Sequence, residues 1–134
     1  MAGVELQMRR EYLGLTIDAM ANLLEVNPRT VRSWESGRDP IPVRVRAEIA
    51  SIEEHTDAVV ADMVAALTGD PVAADAVAAL DGSDPVVVVW RSEATWRASG
   101  HPDTARFPAR WSRHVVARAA HRVGDVTIRP GGVS

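Results

Sequence analysis

The stretch Thr16-Ile-Asp-Ala-Met-Ala-Asn-Leu-Leu-Glu-Val-Asn-Pro-Arg-Thr-Val-Arg-Ser-Trp-Glu-Ser-Gly37 decides the fold. Thr16 is an N-cap residue, and Ala19, Met20, Leu23 and Leu24 behind it form an apolar stripe, so a short helix starts there. A second start signal follows at once. Asn27 is a strong N-cap, and Pro28 suits the first helical position, where its missing N–H costs nothing. Gly37 is a natural stop, and Pro40 and Pro42 prevent simple continuation. Small Ala21 sits where two such helices would cross, and Val26, Val31 and Trp34 point inward. What remains outward on the later helix is Arg29, Thr30, Arg32 and Ser33. Two short helices joined by a tight turn, the second with a polar exposed face, describe a helix-turn-helix. An arginine on such a face can pair bidentately with guanine O6 and N7, and Thr and Ser reach bases or phosphates.

Working outward, Val4 to Leu13 reads as a preceding helix, with Val4, Met8 and Tyr12 on one face and Gly14 placed to end it. Downstream, Pro42 opens a long helix to about Thr68. Val45, Ile49, Ile52, Thr56, Val59, Met63 and Ala66 recur along it at 4-3-4-3 spacing, a coiled-coil-like seam. The seam is read as packing on its own domain, with a share in dimerisation as the alternative. The Ala-rich segment after Gly69 holds a weak helix over residues 72–80 and a turn at Asp81-Gly-Ser-Asp-Pro85. After Pro85 the pattern changes. Val86-Val87-Val88-Val89-Trp90 is apolar on both faces and suits a buried strand. Ser92 caps a short helix to about Ala98, a loop covers Gly100 to Phe107, and Pro108 opens a helix from about Ala109 to Arg122. In that helix Trp111, Val115 and Ala119 face inward, with Val116 or Ala120. Asp125 to Arg129 is a last short strand and Pro130-Gly131-Gly132 a frayed tail.

The expected fold is thus mostly α with a small α+β part: an all-α helix-turn-helix domain with its long helix (1–69), an acidic Ala-rich linker or short helix (70–85) and a β-α-α-β domain (86–134). Two strands alone make a poor sheet. Pairing across a dimer is the expected remedy, with Val86, Val87, Val88, Val89, Trp90 and Trp111 as dimer contacts.

The 134 residues carry a net charge of −3, which argues against nucleic acid when taken whole. Its distribution argues the other way. Residues 55–85 hold six Asp and no base, whereas Val26 to Arg46 is +3 and residues 86–134 are +5. All 15 basic residues are Arg, and Ala and Val supply 40 residues, a bias that fits a GC-rich coding genome. There is no Cys, hence no thiolate metal site and no cysteine nucleophile. No leader is expected in Met1 to Arg10 and no membrane span anywhere, so the expected location is the cytoplasm, at the nucleoid.

Residues 6–42 resemble the XRE-type, lambda-Cro-like helix-turn-helix of bacterial and phage repressors. The resemblance rests on Gly14-Leu15-Thr16, Met20-Ala21-Asn22-Leu23-Leu24, Val26-Asn27 and Val31-Arg32-Ser33-Trp34-Glu35-Ser36-Gly37. It implies a double-stranded DNA partner, with Arg29, Thr30, Arg32, Ser33 and neighbouring Pro28 at the bases. Thr16, Ile17, Asn27 and Arg38 would then lie at phosphates, and Arg10 and Glu35 would form an ion pair between the first and third helices. Many members have Gln where Ile17 stands and Gly where Glu25 stands. The strings Val89-Trp-Arg-Ser-Glu-Ala-Thr-Trp96 and Phe107-Pro-Ala-Arg-Trp-Ser-Arg113 resemble the C-terminal dimerisation domains of anti-CRISPR-associated repressors. That likeness implies a homodimer on an inverted repeat, repressing by excluding polymerase, often at its own promoter. The alternative is an antitoxin whose second half binds a toxin protein.

No catalytic site, metal site or cofactor is expected. His114 and His121 share a helix face without a carboxylate to complete a ligand set, and Ser112 and His114 point in different directions. Glycine-rich phosphate loops are absent from the sequence. Arg106, Arg110, Arg113, Arg118 and Arg122 form a second basic set, read first as an ordinary exposed face and second as auxiliary phosphate contacts.

Overall fold

A computed structural model describes residues 1–69 and 86–132. The expected weak helix at 72–80, the turn before Pro85 and the last two residues lie outside them. The order is α1 (Gly3–Tyr12), α2 (Ile17–Leu24), α3 (Pro28–Glu35), α4 (Val43–Leu67), β1 (Val86–Val89), α5 (Glu93–Ala98), a 3₁₀ turn (Pro102–Ala105), α6 (Ala109–Val123) and β2 (Thr127–Pro130). This is the expected mostly helical chain with a small α+β part.

Cap chemistry sets the starts of α2, α3 and α5. Thr16 Oγ1 accepts from Ala19 N at 3.0 Å, and Asn27 Oδ1 accepts from Arg29 N at 2.9 Å. Ser92 and Thr95 form a reciprocal capping box at α5. Between α2 and α3 the chain turns through Glu25, the only non-glycine residue with positive φ (56°) among the described residues. Val26 N then closes the turn on Ala21 O at 2.9 Å.

The face of α1 differs from the apolar pattern. Val4, Met8 and Tyr12 are 61%, 65% and 61% exposed, whereas Leu6 and Arg10 are buried. The helix turns its Leu6–Arg10 edge inward because Arg10 finds a carboxylate there, which a count of carbon-rich residues does not register. Gly3 permits the approach of α1 to α3: a Cβ there would stand 2.5 Å from the carbonyl oxygens of Trp34 and Glu35.

Along α4 the buried positions are Val45, Ile49, Ile52 and Thr56, then Val60 and Leu67. Val59, Met63 and Ala66, expected in the seam, are half-buried. A straight helix drifts ~20° per heptad from a 3.5-residue repeat, so the inward stripe slips by one position towards the C-terminus. The stripe packs chiefly on α6 of the same chain.

β1 and β2 form a parallel pair, Val86 opposite Thr127 through Val89 opposite Pro130, joined by the α5–α6 crossover that a parallel pair requires. Only Val87 is buried in β1. Val86 (43% exposed) and Val88 (42%) are not, so the strand is covered on one side and not on both. β2 is exposed throughout. The glycines after β2 are held, not frayed: Gly131 N donates to Val89 O at 2.8 Å, and the Gly131 Cα lies against Val88 and Trp90.

A single continuous core runs from Leu6, Met20 and Trp34 through Ile49 and Val60 to Trp96, Phe107, Trp111 and Val115. Trp111 is 1% exposed, its ring 4.2 Å from Phe107. It is therefore an internal packing residue and not a surface that a second copy could touch, which removes it from the expected dimer contacts. Val87 leaves that set for the same reason. No helix is long and apolar enough to cross a membrane among the described residues.

Candidate nucleic-acid interface

α3 buries Val31 and Trp34 and turns Arg29, Thr30, Arg32 and Ser33 outward, with Arg29 and Arg32 exposed and Thr30 and Ser33 half-buried. Neither Arg29 nor Arg32 has a carboxylate partner among the described residues. Ser33 is less free. Its hydroxyl donates to Asp39 Oδ2, and Asp39 N donates back to Ser33 O at 3.3 Å, so Ser33 also fixes the chain leaving α3. Asp39 was not legible as a partner from spacing alone, because the contact depends on the turn through Gly37. Pro28 occupies the first turn of α3, half-buried.

Around this face lie the expected phosphate contacts. Thr16 is exposed; its Oγ accepts the cap bond, which leaves the hydroxyl proton to donate outward. Asn27 likewise uses Oδ1 for its cap and keeps its NH₂. Arg38 is exposed beyond Gly37. Ile17, half-buried against the core, has no polar side chain to offer; what its position presents is a first-turn backbone N–H. Arg44 is engaged with Glu48 at 2.7 Å.

The reading face is held from behind by a fork. Arg10 Nε donates to Glu35 Oε2 at 2.7 Å and Nη2 to Oε1 at 2.9 Å, and Nη1 donates to Leu15 O at 2.9 Å. The two side chains are 10% and 8% exposed. The hydrogen bond to Glu35 holds Arg10 more firmly protonated, against a desolvation that pulls the other way. One residue thus ties α1, the α1–α2 turn and the end of α3 together. Arg9 pairs with Glu53 and fixes α1 to α4 in the same manner. Two arginines that look alike in sequence are both structural.

The second basic set divides. Arg113 donates to the carbonyl oxygens of Trp90 and Arg91 at 2.8 and 3.2 Å. Arg118 pairs with Asp57 at 2.8 Å and lies over the Tyr12 ring. Arg106 lies over Phe107, 5.4 Å from its centroid. Arg110 and Arg122 are exposed. His114 sits edge-on to Tyr12 and His121 is exposed. Among the described residues no three His, Asp or Glu side chains converge as a metal site would need.

Two packed helices with a left-handed turn between them, an anchored back and a polar cationic front, define a helix-turn-helix DNA-binding unit. A family model for the helix-turn-helix domain matches residues 2–77, more than half of the chain, and the protein belongs to that family. No curated protein matches the sequence.

Proposed function

We propose that the protein is a sequence-specific transcriptional regulator of the XRE type that binds an inverted-repeat operator as a homodimer and represses, its own promoter included. The observation that carries this reading is the front of α3, where Arg29 and Arg32 stand exposed, with no carboxylate partner among the described residues, on a helix fixed from behind by Val31, Trp34 and the Arg10–Glu35 fork. Arginines in that position recognise guanine, and Thr16, Asn27 and Arg38 hold the flanking phosphates. The regulator acts in the cytoplasm at the nucleoid, without a cofactor or a catalytic step.

Self-association is supported by the two-stranded sheet. Two parallel strands are marginal by themselves, and among the described residues this pair has no further strand on either edge and leaves Val86, Val88 and Ile128 exposed. A second copy would complete it. Selection of bound duplexes from a random pool by the full chain tests the whole reading. The expected result is an enriched inverted repeat with half-sites roughly 34 Å, one helical turn, apart. An enriched but asymmetric single site would remove the dimer, and no enrichment would remove sequence-specific reading.

A further inference from the structure

An open groove separates the outer side of α2 from the C-terminal unit, lined by Thr16, Ala19 and Asn22 on one bank and by Glu93, Arg97, Thr104 and Arg106 on the other. A second observation brings the same two parts together. Gly14, in the turn that leads into α2, lies so close to the first turn of α6 that a Cβ on it would stand 2.8 Å from the Arg110 carbonyl oxygen. Gly14 and Thr16 are two residues apart, hence at most ~7 Å. The C-terminal unit is thus fastened beside the edge of α2 whose Thr16 hydroxyl points outward, and it brings Arg97 and Arg110 with it.

These two arginines differ from Arg106, Arg113 and Arg118 of the same unit. Arg97 has a side chain that is 75% exposed, and its one carboxylate neighbour among the described residues, Glu93, is 3.8 Å away. Glu93 is itself occupied, accepting from Ala109 N at 2.7 Å at the start of α6. Arg110 is exposed on the first turn of α6 and has no carboxylate partner among the described residues. By contrast Arg113 and Arg118 are bonded within the protein. Arg106, besides lying over Phe107, borders a neighbouring groove with Glu25 and Glu48, where local charge opposes an anion.

We infer that Arg97 and Arg110 form an auxiliary phosphate-binding site that extends the DNA interface of α2 and α3 onto the C-terminal unit. The ligand is the backbone of the same duplex, at phosphates next to the one on Thr16. Along one strand the phosphates lie ~3.4 Å apart in axial projection, so a duplex phosphate held at Thr16 has close neighbours on the side where Arg97 shares the groove and the first turn of α6 packs on Gly14. Contacts of this kind add affinity and fix orientation without reading sequence. The C-terminal unit thereby takes part in DNA binding directly, in addition to any role in pairing two copies. The inference rests on the helix-turn-helix reading proposed above.

The probe is a labelled random-sequence duplex of about 30 base pairs, titrated with the full chain between about 50 and 200 mM salt, because phosphate contacts show in the salt dependence. Each contacted phosphate contributes about 0.9 to the slope of log affinity against log salt, so R97A/R110A should be shallower than the wild type by about 2. R97K/R110K should keep the wild-type slope. R122A removes the same kind of charge at the far end of α6, ~18 Å along the helix, and should leave the slope unchanged. Equal slopes for R97A/R110A and the wild type, or an equal loss per arginine in R122A, overturn the inference. R29A/R32A separates the two levels. If it abolishes binding while R97A/R110A changes nothing, the auxiliary site falls and the helix-turn-helix reading stands. If the wild type gives no salt-dependent binding at all, both fall.

Discussion

The Trp111 indole nitrogen donates to Thr56 Oγ1 at 3.1 Å, and that hydroxyl donates onward to Ile52 O at 2.7 Å. Both side chains are buried, and the bond crosses from α6 to α4, joining the C-terminal unit to the helix-turn-helix through one shared hydroxyl. Thr56→Val keeps the shape and removes the acceptor, leaving a buried N–H unpaired. The expected loss is about 1–3 kcal/mol. Urea denaturation should show a lower midpoint with an unchanged slope; an unchanged midpoint would mean that the indole finds another acceptor.

Arg10 and Glu35 make the second buried pair, and here removal is worse than replacement. Glu35→Ala leaves a guanidinium nearly enclosed, bonded to Leu15 O and with only the exposed Glu11 carboxylate, 3.7 Å away, as counter-charge among the described residues, at a cost of about 3–5 kcal/mol. Replacing both partners with R10M/E35L removes the charge and its counter-charge together, so the double variant should be more stable than E35A. Chemical denaturation of E35A and the double variant decides this. A double variant less stable than E35A would show that the fork contributes more than it costs to desolvate.

The two turns flanking α2 should respond to substitution with opposite signs. Gly14 has φ +72°, and a Cβ there would stand 2.8 Å from the Arg110 carbonyl oxygen, so Gly14→Ala meets both a left-handed backbone and a clash. It should cost at least about 1–2 kcal/mol. Glu25 already holds a left-handed conformation, φ 56°, with a side chain that disfavours it. Glu25→Gly relieves that strain, less the entropy of a freer unfolded chain, and should add about 0.5–1 kcal/mol. Thermal melting of both variants measures the two signs directly.

What was legible in the sequence follows the range of the physics involved. Thr16, Asn27 and Ser92 mark helix starts because a cap bond spans two or three residues, and all three bonds are present. The outward set on α3 was legible because Val31 and Trp34 fix its rotation. Long-range partners were not. Arg10 belongs to the core face of α1 only because Glu35, far along the chain, comes to meet it, and that displaced the apolar Val4–Met8–Tyr12 face to the surface. The α4 stripe followed a 3.5-residue repeat until the helix, packed on α6 and not supercoiled, drifted past it. Trp111 looked available for a dimer because nothing in its own neighbourhood announces Thr56.

If Arg29 reads a guanine, Arg29→Ala should weaken binding to the selected operator by about 1–3 kcal/mol and relax preference at one base pair. Arg38→Ala should behave differently, weakening all duplexes alike and reducing the salt slope by about 1. Titrations of the operator, its single-position variants and a random duplex distinguish the two patterns. A uniform loss for R29A would move that residue to the phosphates.

His114 should make stability depend on pH. Its Nε2 is buried with no hydrogen-bond partner among the described residues, and the ring stands edge-on to Tyr12 at 4.8 Å. Burial pushes its pKa below the ordinary 6.5, the nearby Arg118 charge pushes the same way, and Asp57 opposes them. The unfolded chain therefore takes up this proton first as pH falls. Stability owed to the neutral ring is complete above 6.5 and is lost as pH falls from there through the folded-state value. His114→Phe keeps an aromatic edge against Tyr12 and cannot titrate, while His55, His101 and His121 are common to both proteins. Between about pH 8 and about pH 5 the wild type should lose stability relative to H114F, in denaturation series at matched ionic strength. A gap that stays constant across that range would mean that the folded protein protonates His114 as readily as the unfolded chain does.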